Sequence, residues 1–215
     1  MCPLNAAGVT VNPIHPYSLR AYSGTMSHAH ADLPRPHRLT VVDYYRMAEV
    51  GILAPDARVE LIDGEIIDMA PPGSLHAAIV MLLTRAFIEA VGDRALVLAQ
   101  NPVRFSEYSE PQPDLALLRP RGDSYREHHP RADELLLIVE VAASSLRFDI
   151  ENKVPLYARH GIAECWLVDV DGKRLVRHRG PQQGAYTLID EPDLRVALDV
   201  STLPGVSVDL RRLFG

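Results

Sequence analysis

One largely apolar run, at residues 134–141 (Glu-Leu-Leu-Leu-Ile-Val-Glu-Val), constrains the fold more than any other segment. Apolar and polar residues do not alternate in it, so it predicts a strand that is buried on both faces of a sheet. A segment with helical spacing follows from about 148 to 160, and a second apolar run occupies 165–170. Strand, helix and strand in this order predict a βαβ unit, because two parallel strands need a crossover connection.

The segments on either side of this unit predict further strands and helices. Asp63-Gly64 lies between two short apolar runs, 58–62 and 65–67, and this is a strong hairpin signal. Helices are predicted at about 40–50 and 74–92, strands at 95–99, 102–106 and 114–118, and short edge strands with a last helical turn near Leu210 within 185–215. The predicted fold class is α/β, on the border with α+β, with a mixed β-sheet flanked by helices.

Residues 1–36 differ from the rest of the chain. Prolines interrupt them repeatedly, and neither helical nor strand periodicity is present. We expect a flexible N-terminal tail at 1–36 and a single domain at 37–215.

Composition excludes several classes of protein. No apolar stretch approaches the roughly 20 residues that a bilayer span requires, so no membrane association is expected. The two cysteines, Cys2 and Cys165, have no metal-binding spacing, and they indicate a reducing, cytoplasmic location. The net charge of −6 argues against a general nucleic-acid-binding protein, although acids clustered at a metal site would also contribute to it.

Two acids and one lysine are expected to meet at one end of the sheet. Glu140 lies near the end of the buried strand, where a carboxylate is costly unless it is paired or bound to a metal; alternatively, it emerges into solvent. Lys153 lies on the crossover helix, where its simplest explanation is an i,i+4 pair with Asp149. Asp114 opens a strand after Pro113, at a position where acids also occur in turns. Two carboxylates and an ammonium together are what a magnesium-dependent phosphodiesterase requires.

Other polar residues are weaker candidates. Glu60 either pairs with a cation or joins a metal shell. His76 is expected in the first turn of the second helix, where packing or capping is more common than catalysis. Arg119, Arg121 and Arg126 belong to a long basic loop that either grips phosphate groups or is a solvated surface loop. The sequence contains no GxSxG, P-loop or GxGxxG motif.

A set of short motifs in a fixed order closely resembles the Uma-two family, predicted restriction endonucleases within the PD-(D/E)XK nuclease superfamily. Each motif is weak alone, but the ordered set is specific and spans about residues 38–213. The motifs are Glu60-Leu61-Ile62-Asp63-Gly64-Glu65, His76, Gln100-Asn101-Pro102, Pro113-Asp114, Val139-Glu140-Val141, Asp149 with Lys153, Tyr157 and Glu164-Cys165-Trp166-Leu167-Val168-Asp169.

The resemblance implies a restriction-endonuclease-like fold and a catalytic site. Asp114 matches the aspartate of the PD motif, Glu140 the acid of the (D/E)XK motif, and Glu60 a further acid of the family pattern. The lysine that the superfamily places two residues after the second acid is Ala142 here. The family's displaced lysine matches Lys153 on the following helix.

The same resemblance implies a divalent-metal cofactor. Asp114, Glu140 and the backbone carbonyl of Val141 are expected to hold Mg²⁺, with Mn²⁺ as a substitute. His76 and Gln100 are expected as accessory residues. The expected activity is metal-dependent endonuclease hydrolysis of phosphodiester bonds, most simply in DNA. A homodimer is expected by analogy, because cleavage of both strands of a duplex needs two sites.

Two alternatives remain open at this point. The first is a nuclease fold without catalysis, which serves as a binding or interaction module, and the acidic composition favours it. The second is glycoside hydrolysis by two carboxylates, which fits poorly because that reaction needs no lysine and the chain contains one tryptophan.

Overall fold

The structure is a computed structural model that describes residues 35–215, and within them His37–Gly215 form one compact unit. The predicted tail at 1–36 lies almost entirely outside the described residues, as does Cys2. In chain order the elements are α1 (Val41–Glu49), β1 (Val59–Ile62), β2 (Glu65–Asp68), α2 (Ser74–Val91), β3 (Leu96–Ala99), β4 (Leu115–Leu118), β5 (Leu135–Ala142), α3 (Leu146–Phe148), α4 (Val154–Arg159), β6 (Glu164–Asp169), β7 (Arg174–Gln182), β8 (Ala185–Asp190), β9 (Leu198–Asp199) and β10 (Ser207–Val208).

A six-stranded sheet organises these elements, in the order β3-β4-β5-β6-β7-β8. Strands β5 and β6 are parallel, and the other neighbouring pairs are antiparallel. Every residue of β5 and β6 is buried, as expected for central strands. The mixed α/β fold class and the βαβ unit are thereby confirmed.

The two faces of the sheet carry separate hydrophobic cores. Helix α2 and the segment after β8 cover one face, where Phe87 of the helix packs near Trp166 of β6. The crossover helix covers the other face, where Leu156 and Tyr157 are fully buried. Because successive residues of a strand point to opposite faces, Ile138 and Glu140 of β5 project toward the crossover helix.

The predicted hairpin is present but does not join the main sheet. Strands β1 and β2 pair only with each other among named strands, and β9 and β10 form another two-stranded sheet. The turn residues Asp63 and Gly64 both have positive φ, 51° and 85°, as an Asp-Gly hairpin turn requires.

Three sequence predictions need correction. Residues 102–106 form no strand, because the amides of Val103 and Phe105 bond to Pro111 and Ser109 and fold the segment back on itself. The last helical turn near Leu210 is a series of turns. Of the short edge strands predicted within 185–215, β8 is the edge strand of the main sheet, but β9 and β10 pair with each other and do not extend it.

Helix α2 also corrects the expectation that no segment is long enough to span a membrane. Residues Ser74–Arg94 are sufficiently long and apolar to do so by length and composition alone. In the structure, Ile79, Leu83 and Phe87 of this helix are almost completely buried against the sheet, whereas Met81, Leu82 and Ile88 are exposed.

Candidate functional site

Strand register brings Asp114 opposite Glu140. Strands β4 and β5 are antiparallel, with Leu115 paired to Val139, so the next residues outward are these two acids. Asp114 accepts a hydrogen bond at Oδ2 from the backbone N–H of Val141, at 2.9 Å. Two carboxylates that are distant in sequence therefore meet at one end of the sheet.

Asp114 is held in its charged form by three donors. Its Oδ1 contacts His76 Nε2 and Gln100 Nε2, both at 3.2 Å, and its Oδ2 accepts the Val141 N–H. Burial raises the pKa of the Asp114 carboxyl, but the hydrogen bond and charge of His76, together with the other donors, outweigh burial and hold that pKa below its usual value. The two accessory candidates thus both contact this acid.

Glu140 is a buried acid with only part of its charge compensated. Its side chain is 2% exposed, and Oε1 accepts a hydrogen bond from the hydroxyl of Tyr157, which is itself fully buried. Among residues 35–215 no hydrogen bond ends on Oε2. Burial is the largest cause, and it raises the pKa of Glu140 to about 8; the charge of Lys153 lowers this pKa, and the charges of Asp149, Asp114 and Glu60 raise it. A bound cation would stabilise the ionised form of such a carboxyl group.

Lys153 lies inside this cluster and not at the surface. A π-helical turn, Asp149–Lys153, joins α3 to α4, and turns of this kind often occur at functional sites. Lys153 and Tyr157 are four residues apart and therefore share one helix face, the face toward Glu140. The ammonium lies 3.2 Å from Glu60 Oε1 and 3.4 Å from Glu140 Oε1, and the side chain is 8% exposed.

The alternative explanation of Lys153, an i,i+4 pair with Asp149, is wrong. Asp149 instead accepts a hydrogen bond from Ser145 Oγ at 2.6 Å. Burial alone would lower the pKa of the lysine, but the charges of Glu140, Glu60 and Asp149 outweigh burial and raise that pKa. Lys153 is therefore an ammonium ion at neutral pH.

Glu60 of β1 uses both oxygens to hold its neighbours. Oε1 contacts Lys153, and Oε2 accepts the backbone N–H of Gln112 at 3.0 Å. The sequence left two functions open for Glu60, a pair with a cation or a place in a metal shell. The observed geometry is that of an ion pair with Lys153. The side chain is 2% exposed, so these two contacts take the place of water around its carboxylate.

These residues line one cavity of about 320 Å³. Acidic residues outnumber basic ones in its lining. The acids are Glu60, Asp68, Asp114, Glu140 and Asp149, and the basic residues are Arg58, Lys153 and His76. Within residues 35–215 no group of three His, Cys, Asp or Glu side chains has the geometry of a metal site. The expected ligand set differs from such a group, because it comprises two carboxylates and a backbone carbonyl. Oxygen donors with excess negative charge fit a hard divalent cation that retains water ligands.

The basic loop is not part of this cavity. Arg121 pairs with Asp123 at 2.8 Å and with Glu134 at 2.7 Å, which neutralises it. Arg119 donates to the backbone carbonyl of Asp133, and Arg126 is exposed without a carboxylate partner within the described residues. None of the three arginines lines the cavity. Their contact with a nucleic acid stays a prediction.

Two residues of the site were not predicted as functional. Tyr157 was noted only as part of the motif order, although its spacing of four residues from Lys153 places both on one helix face. Arg58 lines the cavity, and the available signal was its position two residues before Glu60, on the same side of an extended segment.

The raised pKa of Glu140 predicts a specific pH dependence of stability. In metal-free buffer, the unfolded chain loses this proton near pH 4.5 but the folded protein retains it to about pH 8. The free energy of unfolding should therefore fall between these pH values by about 1.4 kcal/mol per unit, at most about 5 kcal/mol in all, relative to Glu140→Gln. Denaturant unfolding of both proteins across this range measures the difference, and a constant difference would contradict the assignment.

Comparisons with known proteins identify the family and the fold of this chain. The sequence profile of the Uma2 (Uma-two) family, described as "Putative restriction endonuclease", matches residues 41–211. No curated protein matches the chain. Among solved structures, the fold is similar to that of "a putative nuclease belonging to DUF820" from Anabaena variabilis ATCC 29413, with a TM-score of 0.62, 17% identity, and coverage of 82% of this chain and 97% of that chain. Because the profile spans most of the described residues, this chain belongs to the Uma2 family of restriction-endonuclease-like proteins.

Proposed function

We propose that this protein is a Mg²⁺-dependent endonuclease that hydrolyses phosphodiester bonds in DNA. The observation that carries the proposal is the convergence of Asp114, Glu140 and Lys153 in one acidic cavity. Family membership supports a nuclease, and the acidic cavity supports a divalent cation as the cofactor.

The described residues suit distinct functions in this reaction. Asp114 and Glu140, with the carbonyl of Val141, would hold the cation, and Mn²⁺ is a suitable replacement. When bound, the cation would acidify a water molecule and neutralise charge on the phosphate. Lys153 would orient that water and stabilise the developing negative charge, since its ammonium lies next to Glu140. Glu60 keeps the lysine in place.

Assembly and location are further parts of the proposal. A homodimer would present two sites to the two strands of a duplex. Arg119, Arg121 and Arg126 would contact DNA phosphates outside the cavity, which requires Arg121 to exchange at least one of its two acidic partners. A cytoplasmic location is consistent with Cys165, a free and buried cysteine.

A plasmid-cleavage assay tests the activity. The unmutated protein should convert supercoiled DNA to nicked or linear forms with Mg²⁺ or Mn²⁺, and EDTA should abolish the conversion. Absence of cleavage under every metal condition, with the protein folded, would contradict the proposal.

A catalytically silent nuclease fold that binds a partner is the second candidate function. The specific observation in its favour is that several arginines are neutralised by acids. They are Arg121 of the basic loop and Arg174, Arg177 and Arg179 of β7. Specific binding of a partner without metal-dependent cleavage would favour this candidate.

A further inference from the structure

Among residues 35–215, the cavity lining contains two permanently charged cations, Lys153 and Arg58. Lys153 is buried and already contacts two carboxylates, so little of its charge is available to a ligand. Arg58 is exposed at the cavity wall. A substrate phosphate that enters this acidic cavity therefore meets one accessible guanidinium.

The position of Arg58 follows from the hairpin. It precedes β1 by one residue and Glu60 by two, so its side chain projects to the same side as Glu60. The amide of Met69 donates to the Arg58 carbonyl at 2.8 Å, which continues the hairpin pairing and fixes the backbone at this point. The arginine is thus held by a strand end and not by a free loop.

The guanidinium of Arg58 has almost no partner of its own. Its one hydrogen bond goes to the backbone carbonyl of Ala70 at 3.5 Å, the outer limit of such a contact. No carboxylate of the described residues lies within 4.0 Å of it, whereas Arg38, Arg104, Arg121, Arg159, Arg174 and Arg177 all form ion pairs. An unpaired guanidinium in an acidic cavity has free donors in a planar fork.

Arg58 shares its cavity with the first acid of the site. His76 Nε2 lies 3.2 Å from Asp114 Oδ1, and both residues line the cavity together with Arg58.

We propose that Arg58 binds a phosphate group of the nucleic-acid strand at the cavity, next to Asp114 and His76. This inference rests on the proposed function and extends it, because it assigns a substrate-binding residue that belongs to neither the metal ligands nor the basic loop. A bidentate guanidinium–phosphate contact matches the planar fork of arginine and is weaker with lysine.

Binding of a short fluorescein-labelled DNA duplex to the full chain tests this assignment, with Ca²⁺ in place of Mg²⁺ to prevent turnover. Arg58→Ala should raise the Kd about tenfold and reduce the slope of log K against log salt by about 0.9, the value for one lost phosphate contact. Arg58→Lys should recover part of the affinity and most of the slope, since it keeps the charge but loses the fork.

Arg94→Ala is the matched control. Arg94 is also exposed and also has a backbone carbonyl, that of Pro204, as its hydrogen-bond acceptor, but it does not line the cavity. The Arg94→Ala variant should therefore bind the duplex with the same Kd and the same salt slope as the unmutated protein. Equal Kd and equal slope for the unmutated protein and Arg58→Ala would overturn the inference, even if metal-dependent cleavage by the unmutated protein is retained. If the unmutated protein neither cleaves DNA nor binds the metal, the proposed function is refuted instead.

Discussion

Glu140→Gln and Asp114→Asn should each lower metal-dependent DNA cleavage by about a thousandfold, while the fold is retained. Each substitution keeps the size of the side chain but removes the negative charge from a proposed cation ligand, and a bound cation would supply several kcal/mol to such a reaction. The two effects should not add in the double variant, because both residues serve the same ion. Initial rates of plasmid cleavage over a range of Mg²⁺ concentrations measure the loss.

Asp68→Asn is the control for these variants. Asp68 is exposed, lines the same cavity and has no hydrogen-bond partner among the described side chains, so its loss changes the charge of the cavity without removing a ligand. Asp68→Asn should alter the cleavage rate only a few-fold, because solvent and salt screen the charge of an exposed carboxylate. Titration calorimetry with Mg²⁺ should show weakened binding for both ligand variants. Unchanged cleavage in Asp114→Asn and Glu140→Gln would show that the site is assigned wrongly.

Lys153→Met should have the largest effect on stability. It leaves Glu60 and Glu140, both 2% exposed, without their ammonium partner. Removing one member of a buried charge cluster typically costs about 3–5 kcal/mol, because the carboxylate left behind stays desolvated and unpaired. Glu60 is that carboxylate, since Glu140 keeps its proton to about pH 8 in the absence of metal. Cleavage should fall as well, since methionine has no charge with which to orient water or stabilise the transition state.

Two measurements separate these effects. Denaturant unfolding should show that Lys153→Met combined with Glu60→Gln is more stable than Lys153→Met alone, because the second change removes the unpaired carboxylate. Lys173→Met is the control, since Lys173 is exposed in the turn between β6 and β7. If Lys153→Met binds Mg²⁺ normally and cleaves DNA as fast as the unmutated protein, the lysine has a structural function only.

The sequence was sufficient to predict the central part of this site. The largely apolar run at 134–141 identified β5, and the crossover helix after it placed Lys153 behind Glu140. The meeting of Asp114 with Glu140 follows from an antiparallel register that was not predicted from the sequence, although both acids were expected at one end of the sheet. These predictions succeeded because strand burial and crossover geometry depend on local pattern and chain connectivity.

Other features depend on tertiary contacts that local pattern does not contain. The π-helical turn at Asp149–Lys153 has no distinct sequence signal. The pattern alone therefore predicts an ordinary i,i+4 ion pair between Asp149 and Lys153. The neutralisation of Arg121 requires Glu134, which is 13 residues away and approaches only when the loop folds back. Segment 102–106 resembled a strand by composition, but its hydrogen bonds go to the returning loop.

The hairpin β1–β2 gives the buried ion pair a significance beyond catalysis. Within the described residues it shares no ladder with the main sheet, and two ion pairs fasten it to the crossover helix: Glu60–Lys153 inside, and Asp63–Arg159 outside at 2.6 Å. Loss of the lysine alone would therefore loosen the hairpin as well as remove the ammonium that we propose for catalysis. A relative that lacks Lys153 should stay stable only if Glu60 is replaced as well. We therefore expect relatives without cleavage activity to have replaced both Glu60 and Lys153.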